Sequence, residues 1–420
     1  MKHRDISEAD PEVYEALKNE IERQETESLE MIASENFVPR QVLQAQGSVL
    51  TNKYAEGYPG KRYYAGCEYH DKVENLARKR ACELFGADHA NVQPHSGTTA
   101  NIGIYGKFIG QDGKILGPVL SHGGHLSHGH SVSMSGDMFD FEGYPVNEET
   151  ERFEKEDVME AAKEHHPDLI VCGFSAYPRE VDFEMFREVA DEVDAMLMAD
   201  IAHISGLVAA GVHPSPFPEC DIVTTTTHKS IRGARGAMIL CKEEYADKVD
   251  SAVFPYSQGG PLMHQIAGKA VSFKEAMRPE FEEYAQQIKD NTKALAEGLR
   301  THDLRMVSGG SDNHLVLVDL KEEDVTGKEA EEALEEAGIV VNKNSVPHDP
   351  EPPQVTSGIR VGTPALTTRG MEEEQLEEIG EMIGGVVRNP DSEEVRDEVM
   401  SRVSELLEEY ELYAGSEVDY

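Results

Sequence analysis

Long apolar stretches are missing from this chain of 420 residues. No run approaches the ~20 residues that a membrane-spanning helix needs, and the first residues lack the apolar centre of a signal peptide. We therefore expect a cytoplasmic protein that does not bind membranes. The remaining composition, 39% hydrophobic with 36 glycines and 20 prolines, is typical of a globular enzyme with a large buried core.

Cysteines at a metal-binding spacing are also missing. The chain has five cysteines, an odd number, and no two of them are spaced as Cys-x-x-Cys. This pattern indicates reduced thiols and argues against a zinc site. Residues 121–128 are rich enough in histidine and glycine to suggest a metal, but no cysteine or acidic cluster accompanies them. We therefore expect no metal and favour His125 as a residue that stacks on an aromatic ligand.

Positive charge is scarce. The chain has 39 lysines and arginines against 80 aspartates and glutamates, which gives a net charge of −41. Such a surface repels nucleic acid and anionic membranes, so neither is an expected partner. The acidic residues are spread along the chain, which favours a solvated surface over an interaction tail. We hypothesise a cytoplasm with molar salt, where a Debye length of ~3 Å screens the self-repulsion.

Strand candidates alternate with helical stretches from about residue 80 to residue 245. Continuous apolar strands between helices predict a mostly parallel sheet that is covered by helices on both faces. The strand candidates are residues 89–93, 113–116, 169–174, 195–199, 222–227 and 237–241. Beyond Pro279 a helix to about residue 299, a strand at 314–320 and helices near 327–336, 372–383 and 393–413 predict a second unit.

These patterns predict an α/β fold with three regions. They are an N-terminal helical arm at residues 1–50, a large α/β domain at 51–278 and a small C-terminal α/β domain at 279–420. In the arm, Asp10 is an N-cap and Pro11 occupies the first helical position. Tyr14, Leu17 and Ile21 then share one face, so this amphipathic helix should pack on another surface.

Residues 221–236 carry the strongest functional signal. A β-branched run at 223–227 predicts a strand, which leads into His228 and Lys229 and then a turn with two glycines and two arginines. Desolvation and nearby positive charge lower the pKa of a lysine, and a neutral amine can form a Schiff base with an aldehyde. Pyridoxal phosphate (PLP) is the common protein-bound aldehyde, so Lys229 is a candidate to hold it. A snorkelling surface lysine is the alternative.

Asp200 and His203 follow another predicted strand. Ligands of open α/β sheets bind at the carboxyl ends of the strands, and a carboxylate there could keep a pyridine nitrogen protonated. Asp200 and Lys229 are 29 residues apart, which suits one β-α-β crossover between neighbouring strands. A plain helix N-cap is the alternative for Asp200.

Other strand ends and loops add candidates. Ser96, Gly97 and Thr98 open a helix after a strand and form a candidate phosphate cradle, with an ordinary N-cap as the simpler alternative. Arg360, on a short strand of the small domain, is suited to binding a substrate carboxylate through two hydrogen bonds, with a surface ion pair as the alternative. The loop at residues 52–64 is too rich in Tyr, Gly and Pro for a helix or strand and predicts a binding loop, in which Glu56 is a possible proton carrier.

Together these motifs resemble those of the serine hydroxymethyltransferase family. The match is colinear from residue 30 to residue 364 and somewhat beyond. Its family-specific strings are Glu-Met-Ile-Ala-Ser-Glu-Asn at 30–36, Thr-Asn-Lys-Tyr-Ala-Glu-Gly-Tyr-Pro-Gly at 51–60, Gln-Pro-His-Ser-Gly at 93–97, Gly-Leu-Val-Ala-Ala-Gly at 206–211 and Gln-Gly-Gly-Pro-Leu-Met-His at 258–264. The resemblance implies a PLP-dependent transferase of fold type I. It also implies reversible transfer of the serine hydroxymethyl group to tetrahydrofolate, giving glycine and 5,10-methylenetetrahydrofolate.

The resemblance implies roles for individual residues. Lys229 would form the aldimine with PLP, Asp200 would pair with the pyridine nitrogen, and His125 would stack on the ring. The other residues implied around the cofactor are Ser96, Gly97, Thr98, Ser175, His203, Thr226 and His228, and those implied around the substrate are Ser34, Tyr64, His203 and Arg360.

The resemblance also implies a homodimer with shared active sites. Glu56 would move the proton of the hydroxymethyl group, with Tyr54 and Tyr64 beside it. These three residues, together with Gly259 and Gly260 as further cofactor-binding residues, would come from the neighbouring subunit. Pairing of dimers into a tetramer is left open. The folate-type carrier would contact the backbone of Leu120 and Gly124 and the side chain of Asn344.

One stretch departs from the family pattern. Residues 348–354, His-Asp-Pro-Glu-Pro-Pro-Gln, replace a segment that usually carries Asn and an aromatic residue. Because this loop lies near the predicted pterin site, a modified folate or another pterin remains an alternative carrier. Two other functions also stay open at this point, a pterin-independent threonine or allo-threonine aldolase and a PLP-fold protein that has lost catalysis.

Overall fold

The computed structural model describes residues 5–413. Its strands are β1 (Leu29–Glu30), β2 (Gly57–Tyr58), β3 (Lys61–Arg62), β4 (His89–Asn91), β5 (Lys114–Pro118), β6 (Asp140–Tyr144), β7 (Leu169–Cys172), β8 (Met196–Asp200), β9 (Ile222–Thr226), β10 (Ala237–Cys241), β11 (Arg305–Met306), β12 (Leu315–Asp319), β13 (Ile339–Val340), β14 (Asn342–Lys343) and β15 (Gly358–Gly362).

Helices surround these strands. They are α1 (Ile6–Ala9), α2 (Pro11–Glu22), α3 (Arg40–Gln46), α4 (Glu68–Phe85), α5 (Gly97–Ile104), α6 (Met134–Met138), α7 (Lys155–His165), α8 (Phe183–Glu192), α9 (Ser205–Ala209), α10 (Ala246–Ser251), α11 (Met263–Ala276), α12 (Pro279–Arg300), α13 (Gly327–Glu336), α14 (Pro364–Arg369), α15 (Glu373–Arg388) and α16 (Glu393–Glu409). In residues 5–413 no helix combines the length and the apolar character needed to cross a bilayer.

The central sheet has seven strands in the order β4-β10-β9-β8-β7-β5-β6. Strands β9, β8, β7, β5 and β6 are parallel, and β10 runs antiparallel to both of its neighbours. Along β7, Leu169 and Val171 pack into one core while Ile170 and Cys172 pack into another, because successive side chains of a strand point to opposite faces. The prediction of a mostly parallel sheet buried on both faces is therefore confirmed.

Strand β6 was not predicted. It lies at the edge of the sheet, and only the last of its five residues, Tyr144, is buried. An edge strand with one covered face lacks the continuous apolar run that marks the inner strands. At β8 the structure also differs in detail, because Asp200 is the last residue of the strand and does not follow it.

A second sheet with the order β11-β12-β15-β14 is antiparallel throughout and belongs to the C-terminal region. It has its own apolar core, to which α12, α13, α15 and α16 contribute. The N-terminal segment joins this region, since β1 pairs in parallel with β13 and the amide of Gly362 donates to the carbonyl of Met31 at 2.7 Å. The boundaries at residues 50 and 278 stay predictions.

The predicted N-terminal helix is present as α2. Asp10 caps it by accepting a hydrogen bond from the Val13 amide at 3.2 Å, and Pro11 is its first residue. None of its residues is buried within this chain, and 37% of Tyr14 is exposed. The surface on which this helix should pack is therefore not supplied by the described part of the chain.

Candidate active site

A cavity of about 200 Å³ lies at the carboxyl edge of the central sheet. Its walls come from the segments that follow β4, β5, β7, β8 and β9, which is the edge where open α/β sheets bind ligands. The lining residues are Ser96, Gly97, Thr98, Asn101, His125, His128, Phe174, Ser175, Asp200, Ala202, His203, Thr226, His228 and Lys229. The structure thus brings together all of the residues that the sequence assigned to PLP except Gly259 and Gly260.

Lys229 lies three residues beyond the end of β9, next to the strand that ends at Asp200. Burial lowers its pKa to about 8, and the nearby charges of Arg360 and Arg235 act in the same direction, while Asp200 opposes them. These are the causes expected from the sequence, desolvation and neighbouring guanidinium groups. The arrangement makes the amine available in its neutral form near physiological pH, which a solvated surface lysine is not.

Asp200 is held as a carboxylate. Its Oδ2 accepts hydrogen bonds from Asn101 Nδ2 at 2.9 Å and His128 Nε2 at 3.2 Å, and its Oδ1 accepts from the Ala202 amide at 3.1 Å. Burial by itself would raise the pKa of this carboxyl, but the hydrogen bond and charge of His128 outweigh burial and hold the pKa well below its ordinary value. The N-cap alternative is wrong, because the next helix, α9, has its N-cap at Ile204.

The turn before α5 is both an ordinary helix N-cap and part of the cavity wall, where a phosphate was predicted to bind. Ser96 is an ordinary N-cap, since its Oγ accepts from the Thr99 amide at 3.2 Å, and it also lines the cavity. Next to it, a Cβ on Gly97 would come within 3.0 Å of the Thr226 side chain, so only a residue without a side chain fits easily here. The backbone amides of this turn therefore lie open to the cavity at a helix N-terminus, which favours an anion.

His125 lies in the turn after β5 and lines the same cavity. Its Nδ1 accepts a hydrogen bond from the Ser127 amide at 3.1 Å. Burial, and then the neighbouring His128, lower the pKa of His125 to about 4. The ring is therefore neutral, which suits contact with the face of an aromatic ligand.

Sequence reasoning missed Asn101 and His128, which hold the Asp200 carboxylate in place through hydrogen bonds. Asn101 is fully buried on α5, one helical turn after Gly97, and accepts a hydrogen bond from Thr224 Oγ1 at 2.7 Å. Its position four residues after Gly97 was the available signal, because residues at this spacing share a helix face. For His128 the signal was the spacing of three from His125 within one glycine-rich turn.

Arg360 lies on β15 and is not among the residues that line the cavity, but its side chain contacts Ser175, which is one of them. Its Nη1 donates to the carbonyl of Ser175 at 2.6 Å and its Nε donates to Asn342 Oδ1 at 3.2 Å. No Asp or Glu of residues 5–413 forms an ion pair with it, so the ion-pair alternative is wrong for the described chain. Burial lowers the pKa of Arg360 to about 10, which leaves it cationic at neutral pH. A buried guanidinium with no carboxylate partner is a site for an incoming anion.

The remaining catalytic candidates form a separate group. Tyr54 and Glu56 lie directly before β2, the first strand of the β2–β3 hairpin. A Cβ added to Gly259 would come within 3.3 Å of Glu56 Oε1, and one added to Gly260 within 2.9 Å of the Tyr54 ring. None of these four residues lines the cavity, and neither does Tyr64. The aromatic rings are exposed, 60% for Tyr54 and 46% for Tyr64.

The hairpin is anchored from behind by buried charges. Arg62 donates to Glu74 Oε2 at 2.6 Å and to the carbonyls of Ala55 and Gly57 at 2.7 and 2.9 Å. Gln93 donates to the Gly57 carbonyl at 2.9 Å and to Glu74 Oε1 at 2.8 Å. The base of the hairpin, at Gly57, is thus fixed to Gln93, which precedes the Ser96 turn. At the turn of the hairpin, Gly60 and the adjacent Lys61 are exposed.

The other predicted positions, Ser34, Leu120, Gly124 and Asn344, do not line the cavity. Ser34 follows Ala33, and the backbone of Ala33 packs tightly against Gly362 at the end of β15. A Cβ added to Gly362 would come within 2.4 Å of the Ala33 backbone. The carbonyl of Gly124 accepts a hydrogen bond from Ser175 Oγ. Leu120 lines a neighbouring cavity of about 420 Å³ together with Pro353, which belongs to the 348–354 loop that departs from the family pattern. Asn344 does not line this second cavity, although the adjacent Ser345 does, and the Asn344 side chain donates to the Ser345 carbonyl at 2.7 Å.

Comparison with known proteins agrees with this geometry. The family model for serine hydroxymethyltransferase matches residues 6–383. A serine hydroxymethyltransferase of Haloarcula marismortui is 57% identical over 415 residues, which covers 98% of this chain and all of the relative. One of Natronomonas pharaonis is 56% identical over 417 residues, covering 99% of this chain and 98% of the relative. The chain belongs to the serine hydroxymethyltransferase family.

Proposed function

We propose that this chain transfers the hydroxymethyl group of serine to a tetrahydrofolate-type carrier, reversibly, with PLP as its cofactor and glycine as the other product. The observation that carries the proposal is a buried guanidinium, Arg360, that has no carboxylate partner among residues 5–413 and lies close enough to Lys229 to help lower its pKa to about 8. The first binds the carboxylate of an amino acid, and the second is the amine that holds an aldehyde cofactor.

The residues of the cavity fit PLP. An amine that is neutral in part, Lys229, and an ionised carboxylate, Asp200, line the same cavity. Asp200 would hold the protonated ring nitrogen, the neutral His125 would cover a ring face, and the turn at Ser96 would bind the phosphate. When bound, PLP supplies an electron sink for the bond that breaks.

The chain's own residues would then orient the substrate. Arg360 and Ser34 would hold the serine carboxylate and thereby fix which bond of Cα stands perpendicular to the cofactor ring. His203 lines the cavity between these groups and Lys229. Glu56 would move the proton of the hydroxymethyl group, with Tyr54 and Tyr64 beside it.

The separation of Glu56 from the cavity supports a homodimer with shared sites. One group of predicted catalytic residues does not line the cavity of its own chain. It consists of Tyr54, Glu56, Gly259 and Gly260, which lie close together. Tyr54 and Tyr64, whose ring centroids are 5.3 Å apart, are 60% and 46% exposed, and the helix α2 also buries none of its residues. Exposed aromatic residues that cluster in this way are typical of a protein–protein interface.

The decisive experiment measures conversion of serine to glycine with and without tetrahydrofolate, in buffer with molar salt. We expect turnover of serine that depends on the carrier. Turnover of serine without it would favour the aldolase, and a visible absorbance that does not change with glycine would favour a protein without catalysis. An Arg360→Gln variant should raise the KM for serine at least about tenfold, because a charged hydrogen bond is lost.

We also propose that the protein is adapted to salt. The net charge of −41 and relatives from Haloarcula marismortui and Natronomonas pharaonis support this. At molar salt the Debye length of ~3 Å screens the self-repulsion of the acidic surface. Transfer to dilute buffer should lower the melting temperature, and a melting temperature that is independent of salt would contradict the proposal.

A further inference from the structure

His314 contacts the cavity residue His203 from the C-terminal region. It is fully buried directly before β12, and its Nε2 lies 3.2 Å from His203 Nδ1. His203 itself is 5% exposed and lines the same cavity as Asp200 and Lys229. The two imidazoles therefore join the central sheet to the C-terminal sheet at the candidate active site.

The surroundings of His314 decide which of its nitrogens carries the proton. Its Nδ1 is buried and has no hydrogen-bond partner among residues 5–413. A buried N–H without an acceptor is rarer in proteins than a buried acceptor without a donor. The proton of a neutral His314 therefore belongs on Nε2, where His203 Nδ1 is in reach to accept it.

This assignment fixes the proton of His203 as well. If His203 Nδ1 accepts from His314, the proton of the neutral His203 ring is on Nε2. Burial comes first among the causes that lower the pKa of both rings, and the charges of Lys229 and Arg360 act in the same direction, so both imidazoles are neutral at neutral pH. The side chains that face His203 are His125, Lys229, Arg360 and His314.

The backbone on both sides of His314 holds the ring in place. Asn313 Nδ2 donates to the carbonyls of Tyr177 and Arg179 at 2.9 and 3.2 Å, and the Thr363 amide donates to the His314 carbonyl at 3.1 Å. The contact between the two imidazoles is therefore set by hydrogen bonds to the segment after β7 and to the segment after β15.

We propose that His314 is a positioning residue that sets the tautomer of His203, so that His203 Nε2–H donates a hydrogen bond to an anionic oxygen in the cavity. This inference rests on the proposed function. The oxygen belongs either to the substrate carboxylate or to the ring oxygen of PLP. Without His314 the ring of His203 is free to carry its proton on Nδ1 and would then present a lone pair to that oxygen, which repels it.

The first test uses the protein without cofactor. Nitrogen-15 NMR of histidine-labelled apoenzyme, with the His203 signals assigned by their loss in His203→Gln, should show a protonated Nε2 and an unprotonated Nδ1. A protonated Nδ1 on His203 in the unsubstituted protein overturns the proposal. This result does not depend on the reaction that the enzyme catalyses, so it is independent of a failure of the proposed function.

The second test compares His314→Phe, which keeps a ring but cannot donate, with His314→Gln, which restores an N–H. His314→Phe should weaken binding of glycine or of PLP about tenfold, and His314→Gln should recover most of the loss. A change confined to glycine affinity identifies the carboxylate, and a change in PLP affinity and visible absorbance identifies the ring oxygen. Unchanged affinities in folded His314→Phe overturn the proposal, as does a loss of equal size in the control His302→Phe. If His314→Phe does not fold, binding that is about tenfold weaker in His314→Gln than in the unsubstituted protein overturns the proposal.

Discussion

The cavity and the β2–β3 hairpin are built in opposite ways. In the cavity, polar groups of one chain satisfy each other, as Asn101, His128 and Ala202 do for Asp200. At the hairpin the base is fixed by the Arg62–Glu74 pair, while Tyr54 and Tyr64 are exposed and do not line the cavity of their own chain. This difference is the one expected if the hairpin of one chain serves the cavity of a second chain, as in the proposed homodimer.

Replacing Lys229 by Ala should have the largest effect. We expect turnover to fall at least about 10³-fold and the visible absorbance of bound PLP to be lost, because no other amine lines the cavity in the described chain. The free energy of unfolding of the apoenzyme should not fall, since a lysine with a lowered pKa is an unfavourable buried charge. Retained absorbance and turnover would show that the cavity is not the site.

Replacing Arg62 by Met tests the base of the hairpin. Glu74, which is fully buried, would lose its cationic partner, and such a loss costs about 3–5 kcal/mol. Chemical denaturation at constant salt measures it. The control is Arg402→Met, which breaks a pair with Glu378 whose side chains are each more than a third exposed and should cost less than about 1 kcal/mol. Equal costs for the two variants would contradict a buried anchor.

The pH dependence of PLP binding tests the cavity lysine. Its pKa of about 8 lies below the ordinary value of 10.5, so the neutral amine increases about tenfold per pH unit below pH 8 and levels off above it. The rate of PLP binding to the apoenzyme should follow this curve in stopped-flow absorbance. The unfolded state binds more protons between pH 8 and 10.5, so this group should raise the free energy of unfolding as pH rises through that window. A rate that still rises tenfold per unit above pH 9 would contradict the lowered pKa.

Mixed dimers test whether the hairpin serves the neighbouring cavity. Lys229→Ala and Glu56→Gln chains, each inactive alone, would form a mixed dimer with one intact site. If the chains mix equally, half of the dimers are mixed and half of their sites are intact, so about a quarter of the full activity should return. If each chain used its own Glu56, mixing would restore nothing. Mixing Lys229→Ala with Asp200→Asn, two lesions in the same cavity, is the control that should also restore nothing.

Features carried by continuous patterns could be predicted from the sequence. The inner strands β7 and β8 are apolar runs and β9 is a β-branched run, and Asp200 and Lys229 stand out because they come at the ends of such runs. The edge strand β6 has no such pattern. The contact between His203 and His314 joins residues 111 apart in sequence, and the missing carboxylate partner of Arg360 becomes visible only when all surrounding side chains are placed.

The pairing of β1 with β13 has a mechanical consequence. Ser34 and Arg360, the two proposed ligands of the carboxylate, are both attached to the C-terminal sheet, because Met31 accepts a hydrogen bond from the Gly362 amide and Ala33 packs against Gly362. Asp200 and Lys229, by contrast, are attached to the central sheet. A rotation of one sheet relative to the other would therefore move the bound amino acid as a rigid unit relative to the PLP ring. Such a rotation would change which Cα bond is perpendicular to the ring, while the carboxylate would stay bound to Ser34 and Arg360.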